Sequence, residues 1–201
     1  MRQTLVIMVK APVAGRAKTR LARDIGTVEA LRFYRAATAA LLRRVARDRR
    51  WTTILAVEPA RAVGAHFWPG TIPRRPQSRG DLGARMRDQF ARTPRQRVVL
   101  VGSDIPGVSA PLVAKAFAAL HRHDAVFGPA EDGGYWLVGL RAGYRPAAAF
   151  RGVRWSGPCA LADSRASLVG SRIAEVDLLF DVDEAADWRR WLSLPVVAET
   201  R

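Results

Sequence analysis

Short apolar runs alternate with amphipathic helical patterns along this chain, starting at its N-terminus. Residues 98–101 are wholly apolar, and residues 4–9 and 51–57 form similar runs rich in β-branched side chains. Between these runs, apolar positions recur at helical spacing over residues 27–48 and 81–93. Strands that alternate with helices predict an α/β domain with a mostly parallel sheet, because a helix must cross the sheet before the next parallel strand.

The second half of the chain departs from strict alternation at one point. Predicted strands at residues 125–127 and 135–140 follow each other without a helix between them. This order predicts one antiparallel strand in a mixed sheet. The other predicted elements are helices at 109–120, 156–168 and 184–192, a strand at 172–179 and a short extended piece within 69–76. No repeat or linker separates these elements, so we expect residues 1–201 to form a single domain.

Charge limits the expected partners of the chain. The sequence has 33 Lys and Arg residues against 18 Asp and Glu residues, a net charge of +15, and such an excess is typical of nucleic-acid-binding proteins. Only three of the basic residues are lysines, and the many arginines accompany a high alanine content, so a general compositional bias explains most of the excess. The sequence has no helix-turn-helix glycine, zinc-ligand spacing or aromatic RNA-binding strand. We therefore expect no nucleic-acid partner.

Hydropathy and cysteine content indicate the compartment. No apolar run approaches the roughly 18–20 residues that span a membrane, so no membrane insertion is expected. The apolar stretch before Lys10 is too short for a signal peptide and predicts a buried first strand. A single cysteine, Cys159, excludes a disulfide framework. The expected location is therefore cytoplasmic.

The loops that follow the predicted strands hold most of the candidate functional residues. In an open α/β sheet, ligands bind beyond the carboxyl ends of the strands. The first loop is cationic, whereas three later loops are acidic. The first contains Lys10, Gly15, Lys18 and Arg20, and the acidic loops contain Asp104, Asp132, Asp181 and Asp183. This polarity predicts an anionic ligand such as a nucleotide diphosphate, which a divalent cation joins to the carboxylates.

Some of these carboxylates also have a purely structural explanation. Asp104 directly follows an apolar strand, but Ser109 is better placed to cap the next helix, so we expect Asp104 to bind a metal or a ribose. Asp181 and Asp183 share one face if the chain there is extended. Alternatively, one of these two aspartates, or Asp187, caps the last helix or forms an ion pair with it.

Six short motifs occur in order over nearly the whole chain. They are Lys10-Ala-Pro-x-x-Gly-Arg-x-Lys-Thr-Arg-Leu-Ala22, Gly80-Asp-Leu-Gly-x-Arg-Met86, Gly102-Ser-Asp-x-Pro106, Gly128-Pro-Ala-x-Asp-Gly-Gly-Tyr-Trp-Leu-x-Gly-Leu140, Trp155-Ser156 and Asp181-Val-Asp183. In this combination the chain resembles the small bacterial GT-A-like proteins of the DUF2064 group, which are regarded as glycosyltransferases. More distantly, the first and last motifs are similar to those of phospholactate guanylyltransferases and molybdenum-cofactor nucleotidyltransferases.

The resemblance implies a GT-A-like nucleotide-diphospho-sugar transferase fold with Mg²⁺ or Mn²⁺ as cofactor. The implied metal ligands are Asp104 and Asp183. The expected nucleotide-binding residues are Lys10, Ala11, Gly15, Lys18, Arg20, Gly80, Asp81, Gly83, Arg85 and Asp104. The expected acceptor-binding residues are Gly133, Gly134, Tyr135, Trp155 and Ser156. Family members have Trp-Ser-Thr where this chain has Trp155-Ser-Gly157, and this departure leaves the acceptor open.

Two reactions fit these expectations. In the first, a sugar passes from a nucleotide sugar to a small-molecule acceptor, with Asp132 as general base and Lys18 stabilising the departing diphosphate. A plain hairpin turn also explains Asp132 before Gly133 and Gly134. In the alternative, a phosphorylated acceptor attacks an NTP and releases pyrophosphate, and no general base is needed. The sequence leaves open the base, the sugar and the oligomeric state, a homodimer included.

Overall fold

The computed structural model describes residues 2–193 and contains a seven-stranded mixed sheet with helices on its faces. The strands are β1 (Gln3–Lys10), β2 (Thr52–Glu58), β3 (Arg74–Pro76), β4 (Arg97–Gly102), β5 (Ala125–Pro129), β6 (Tyr135–Leu140) and β7 (Ile173–Glu175). The helices are α1 (Thr19–Ile25), α2 (Thr27–Val45), α3 (Leu82–Ala91), α4 (Ala110–Ala119), α5 (Ala160–Ala166) and α6 (Ala185–Ser193). A 3₁₀ turn (Ala60–Ala62) follows β2.

The strand order is β3-β2-β1-β4-β6-β5-β7. Strand β6 is antiparallel to both of its neighbours, and the other pairs are parallel. The predicted antiparallel strand in a mostly parallel sheet is therefore confirmed. Because β1 lies between β2 and β4, the loops after these three strands meet at one edge. In this register Lys10 pairs with Glu58, and Met8 pairs with Gly102.

Apolar side chains cover both faces of the sheet. On one face, α2 and α4 bury Leu41 and Phe117 against the strands. On the other face, Phe90 of α3 stacks on Phe150 with their ring centroids 6.0 Å apart. These two layers hold the strands in place.

A third, smaller cluster lies beside that edge. Leu21 of α1, Phe33 of α2 and Val182 pack together, and Leu21 and Val182 are fully buried. Trp191 of α6 meets the Phe33 ring edge-on at 5.0 Å. The cluster therefore joins the chain just after the first loop to the chain just before the last helix.

One observed helix was not predicted, and two predicted elements are longer than the observed ones. Helix α1 was not predicted, because only one of its seven residues is buried and no apolar period marks it. The helix predicted at 156–168 is shorter, since Ser156 has a left-handed φ of 63° and Pro158 follows. The strand predicted at 172–179 pairs only over Ile173–Glu175, with one isolated bridge from Leu179 to Ala130.

Within residues 2–193, no helix has both the length and the apolar content needed to cross a membrane.

Helix α3 lies so close to residue 150 that only glycine fits at position 83. A Cβ atom on Gly83 would lie 2.3 Å from the Phe150 carbonyl oxygen. We expect Gly83→Ala to lower the free energy of unfolding by roughly 1–3 kcal/mol, because α3 must move outward. Urea unfolding followed by circular dichroism measures this loss. Gly64→Ala is the control and should be near neutral, since its Cβ atom would have no neighbour within 4 Å. Equal urea midpoints for the two variants would contradict the packing argument.

Candidate functional site

The centre of the candidate site is a lysine held between two aspartates. Lys18 Nζ lies 2.8 Å from Asp104 Oδ2 and 2.6 Å from Asp183 Oδ1, and the lysine side chain is only 5% exposed. The three residues come from the loop after β1, the end of β4 and the segment before α6. The structure thus brings together three residues that the sequence had placed on separate loops.

The charges of this triad stabilise one another. Burial disfavours the Lys18 ammonium, but the attraction and hydrogen bonds of Asp104 and Asp183 outweigh burial and raise its pKa. Burial likewise disfavours the Asp104 carboxylate, but the charge and hydrogen bond of Lys18 lower its pKa overall. Lys18 also has a left-handed φ of 52° directly before α1. A non-glycine residue in this region carries backbone strain, which is common at functional sites.

A further carboxylate, Asp181, lies beside the triad. Hydrogen bonding from Glu131 N to the Leu179 carbonyl oxygen places the segment before Asp181 against the turn that carries Asp132. Burial raises the pKa of Asp181 to about 6, and the negative charges of Asp183 and Asp132 contribute in the same direction. The sequence had identified Asp181 without assigning it a site role. Asp187, the alternative capping residue, accepts hydrogen bonds from the backbone N–H groups of residues 183 and 184 and so fills that role.

Tyr34 ties two of the site loops together. Its hydroxyl accepts a hydrogen bond from the Lys10 backbone N–H at 2.8 Å and lies 3.1 Å from Ser103 Oγ. Both Tyr34 and Ser103 are buried. Sequence reasoning missed this role, because Tyr34 occupies an ordinary apolar position of α2.

A cavity of about 210 Å³ lies between the first loop and the end of β2. Lys10, Ala11, Arg16, Glu58 and Pro59 line it. Glu58 is the last residue of β2, as Lys10 is of β1. Its position at the carboxyl end of a strand was the signal that could have identified Glu58 as a candidate site residue. The cavity lies where the first loop meets the second strand and is of a size to take part of a nucleotide.

Of the predicted residues at the start of α3, Arg85 contacts Glu58, which lines this cavity. Arg85 Nη1 lies 2.6 Å from Glu58 Oε2, and Arg85 Nε donates to the Gly80 carbonyl oxygen at 3.0 Å. Asp81 caps α3, as the sequence predicted, by accepting a hydrogen bond from the residue 84 N–H. Gly83 packs against residue 150, so its visible role is structural.

In the first loop, Gly15 has a φ of 73° in a turn with open space around it. Arg20 is largely exposed, with Nη1 3.5 Å from Asp183 Oδ2. Both positions leave the backbone and the guanidinium accessible to a ligand.

The expected acceptor residues divide into two groups. Asp132 is exposed, and its Oδ1 accepts a hydrogen bond from Gly134 N at 2.8 Å, which fixes the carboxylate at the tip of the turn. Gly133 has a φ of 82° and packs directly on the backbone of Pro158. Ser156 is also exposed, two residues before the Pro158 on which Gly133 packs.

Tyr135 and Trp155 are placed differently. The Tyr135 hydroxyl accepts a hydrogen bond from Ser164 Oγ at 3.1 Å, and its ring meets Phe127 edge-on. Burial raises the pKa of Tyr135. Trp155 is half-buried beside Tyr135, with ring centroids 6.5 Å apart. Tyr135 therefore contributes to the core rather than presenting its ring to an acceptor.

Divalent cations such as Mg²⁺ bind carboxylate oxygens, which Asp104 and Asp183 supply in this site. Among residues 2–193, no group of three carboxylate, imidazole or thiolate side chains is placed to hold a metal ion. Asp104 and Asp183 nevertheless both contact one ammonium, so their oxygens can reach a single cation. Mg²⁺ commonly takes one or two carboxylates and completes its shell with water and substrate phosphates. The residues present fit a cation that binds together with a nucleotide.

Comparison with protein families gave one match. The profile described as "Uncharacterized protein conserved in bacteria (DUF2064)" matches residues 41–157, which is more than half of the chain. The first loop and the Asp181–Asp183 segment lie outside the matched range. No curated protein sequence matches the chain.

Several solved structures are similar. A protein of Desulfovibrio desulfuricans G20, provisionally named a nucleotide-diphospho-sugar transferase, is 30% identical with a TM-score of 0.78, over 92% of this chain and 84% of its own. Rv0371c of Mycobacterium tuberculosis H37Rv, solved in complex with manganese, is 22% identical with a TM-score of 0.58, over 97% and 100%. The 4-diphosphocytidyl-2C-methyl-D-erythritol synthase of Anaerococcus prevotii is 12% identical with a TM-score of 0.59, over 92% and 94%. The last two show similarity of fold alone.

The raised pKa of Asp181 predicts a pH-dependent effect on stability. Above about pH 6 the ionised Asp181 destabilises the folded protein, and this penalty disappears as the pH falls towards 4. With a chelator present, Asp181→Asn should raise the free energy of unfolding at pH 8 by roughly 1–2 kcal/mol, allowing for solvent screening. It should change little at pH 4. Urea unfolding at the two pH values measures the difference.

Asp177→Asn is the matched control. The hydrogen bond and charge of Lys115 lower the pKa of Asp177, so its removal should slightly destabilise the protein at pH 8. The explanation fails if Asp181→Asn has the same effect at both pH values.

Proposed function

The chain belongs to the DUF2064 family, and from this premise we propose that it is a metal-dependent glycosyltransferase. In this proposal a sugar passes from a nucleotide sugar to a small-molecule acceptor. The fold is that of the nucleotide-diphospho-sugar transferases, as the sequence motifs predicted. The observation that carries the proposal is the Lys18 triad with Asp132 on the adjacent turn.

The loop after β1 would bind the nucleotide diphosphate. Lys10 and Ala11 line the adjoining cavity, and Gly15 allows backbone N–H groups to approach phosphate oxygens. Arg20 offers an exposed guanidinium, which suits bidentate binding of phosphate. Glu58, which also lines the cavity, forms an ion pair with Arg85.

Asp104 and Asp183 would hold Mg²⁺ or Mn²⁺. When bound, such a cation supplies Lewis-acid neutralisation of the diphosphate. The same two carboxylates hold Lys18, whose ammonium can alternatively pair with a phosphate oxygen. Lys18 would therefore stabilise the negative charge that develops on the leaving diphosphate.

Asp132 is the proposed general base. Its carboxylate is exposed, so an acceptor hydroxyl can reach it, and the Gly134 N–H holds one oxygen in a fixed position. The second oxygen remains available to take the proton of the attacking hydroxyl. General-base assistance of this kind contributes roughly 100- to 10,000-fold in rate.

Nucleotidyl transfer is the second candidate. The specific observation in its favour is the overlap in fold with a diphosphocytidyl-erythritol synthase across almost the whole of both chains. The same lysine and carboxylates would serve an NTP, since charge also develops on departing pyrophosphate. An ionised phosphate acceptor would make Asp132 unnecessary, and this difference separates the two candidates.

Lys18 and a divalent cation share the same carboxylate oxygens, which predicts competition between them. Lys18→Met removes the ammonium from both carboxylates and leaves Asp183 only the exposed Arg20 guanidinium, so the metal-free variant should lose roughly 2 kcal/mol of stability. Mn²⁺ should then raise the unfolding temperature of the variant more than that of the wild type. Thermal unfolding with and without Mn²⁺ measures both effects.

Lys115→Met is the matched control for that experiment, because it removes a lysine from an exposed pair with Asp177. It should leave stability and the Mn²⁺ response near the wild-type values. An equal Mn²⁺ response in the wild type and Lys18→Met would contradict a metal held by these two carboxylates.

The reaction itself is tested by Asp132→Asn. Wild-type protein with Mn²⁺ is assayed against a panel of nucleotide sugars for transfer and hydrolysis, and against NTPs for pyrophosphate release. We expect turnover of a nucleotide sugar that Asp132→Asn lowers at least about 100-fold. Glu131→Gln, an exposed neighbour paired with Arg190, should leave the rate close to the wild type. Pyrophosphate release that survives Asp132→Asn, without turnover of any nucleotide sugar, would overturn glycosyl transfer in favour of the alternative.

A further inference from the structure

A second concave surface lies on α2; Lys18, Asp104 and Asp183 do not line it, but Pro12 of the first loop and Tyr34 do. This groove, called here the α2 groove, has a volume of about 1080 Å³ and runs between α2 and residues 66–72. Arg35 and Arg47 mark its two ends on the helix, and Phe67 faces them from the other side. The two arginines are twelve residues apart, so the groove extends along about 18 Å of helix.

The α2 groove is positively charged. Arg35 and Arg47 lie on one side, and the Arg35 guanidinium also donates a hydrogen bond to the Pro12 carbonyl oxygen at 3.2 Å. The lining, within the described part of the chain, includes no Asp or Glu side chain.

The wall opposite the arginines is aromatic. Phe67 is 41% exposed, and its ring meets Trp68 edge-on with centroids 4.9 Å apart. Trp68 is buried and donates a hydrogen bond from Nε1 to the Ala62 carbonyl oxygen at 2.9 Å. The exposed Phe67 ring thus packs against Trp68, which its hydrogen bond holds in place, and the His66 ring contacts Phe67 as well.

We propose that the α2 groove binds single-stranded nucleic acid, at a surface that borders the transferase site but does not include Lys18. Proteins that bind single strands combine a cationic groove, which follows the phosphates, with aromatic rings on which bases stack. Arginine suits this use because its planar guanidinium pairs with phosphate in two-point contacts. A duplex hides its base faces, so the exposed Phe67 ring favours a single strand.

The sequence contains no nucleic-acid-binding motif, but binding of single strands without sequence preference requires none. An extended acidic peptide is the main competing occupant. Such peptides gain affinity by pairing with a strand edge, and residues 66–72 of the groove wall are not in a strand. The observations therefore favour nucleic acid.

Fluorescence anisotropy with a labelled oligo(dT) strand over a range of salt concentrations tests the proposal. Arg35→Gln combined with Arg47→Gln should weaken binding roughly tenfold and reduce the slope of log affinity against log salt by about 1.4. The matched control is Arg95→Gln with Arg122→Gln, which removes two exposed arginines outside the groove and should leave binding near the wild type. Equal losses in both double variants would overturn the proposal, because they would reflect net charge alone.

Substitutions of Phe67 distinguish the contribution of base stacking to binding from that of charge. Phe67→Ala should weaken oligonucleotide binding roughly 5- to 100-fold and leave the binding of heparin, a polyanion without bases, unchanged. Phe67→Leu keeps apolar packing on Trp68 and should show the same loss, so it decides the matter if the alanine variant unfolds. Unchanged oligonucleotide affinity in Phe67→Leu would overturn the proposal. So would tighter binding of polyglutamate than of oligo(dT) with the same dependence on the groove residues.

Lys18→Met should retain wild-type affinity for oligo(dT), because Lys18 does not line the α2 groove. Loss of oligonucleotide binding in this variant would place the strand at the transferase site and overturn the proposal. Transferase activity without oligonucleotide binding would likewise reject the groove proposal while leaving the proposed function intact.

Discussion

The ammonium of Lys18 between Asp104 and Asp183 is the interaction on which the arrangement of the site depends. It joins the first loop, the end of the central strand β4 and the segment before the last helix. A buried lysine without partners would be costly, and two carboxylates facing each other would repel. The buried ammonium of Lys18 is therefore tolerated because the two carboxylates contact it. The nearby cluster of Leu21 and Val182 holds the two distant segments in place by apolar packing.

The protein as a whole carries a positive net charge, whereas several carboxylates surround Lys18 in the site. The chain carries an excess of 15 positive charges, yet Asp104, Asp132, Asp181 and Asp183 gather around one buried lysine. This local surplus of carboxylates is what makes the edge of the sheet suitable for a cation. Arginines occur both near the site and along α2, where some of them line a groove.

Most of the fold was predictable because its strands are buried on both faces and its long helices are amphipathic. The wholly apolar run that became β4 and the repeated apolar positions of α2 are of this kind. Helix α1 was missed, and the helix before residue 168 was predicted too long, because neither boundary is set by an apolar period. In the site, Glu58 was missed although it ends a strand, and Tyr135 was expected at the acceptor surface although its hydroxyl bonds Ser164 in the interior.

The sequence by itself determined the alternation of strands and helices, and with it the sheet edge at which the functional loops lie. Because each loop begins where an apolar run ends, the sequence also shows which charged residues lie in those loops. Only the tertiary structure decided that Lys18 stands between Asp104 and Asp183 and that Asp181 has a raised pKa. Both depend on distances and burial between residues far apart in the chain, and periodicity along a sequence does not contain that information.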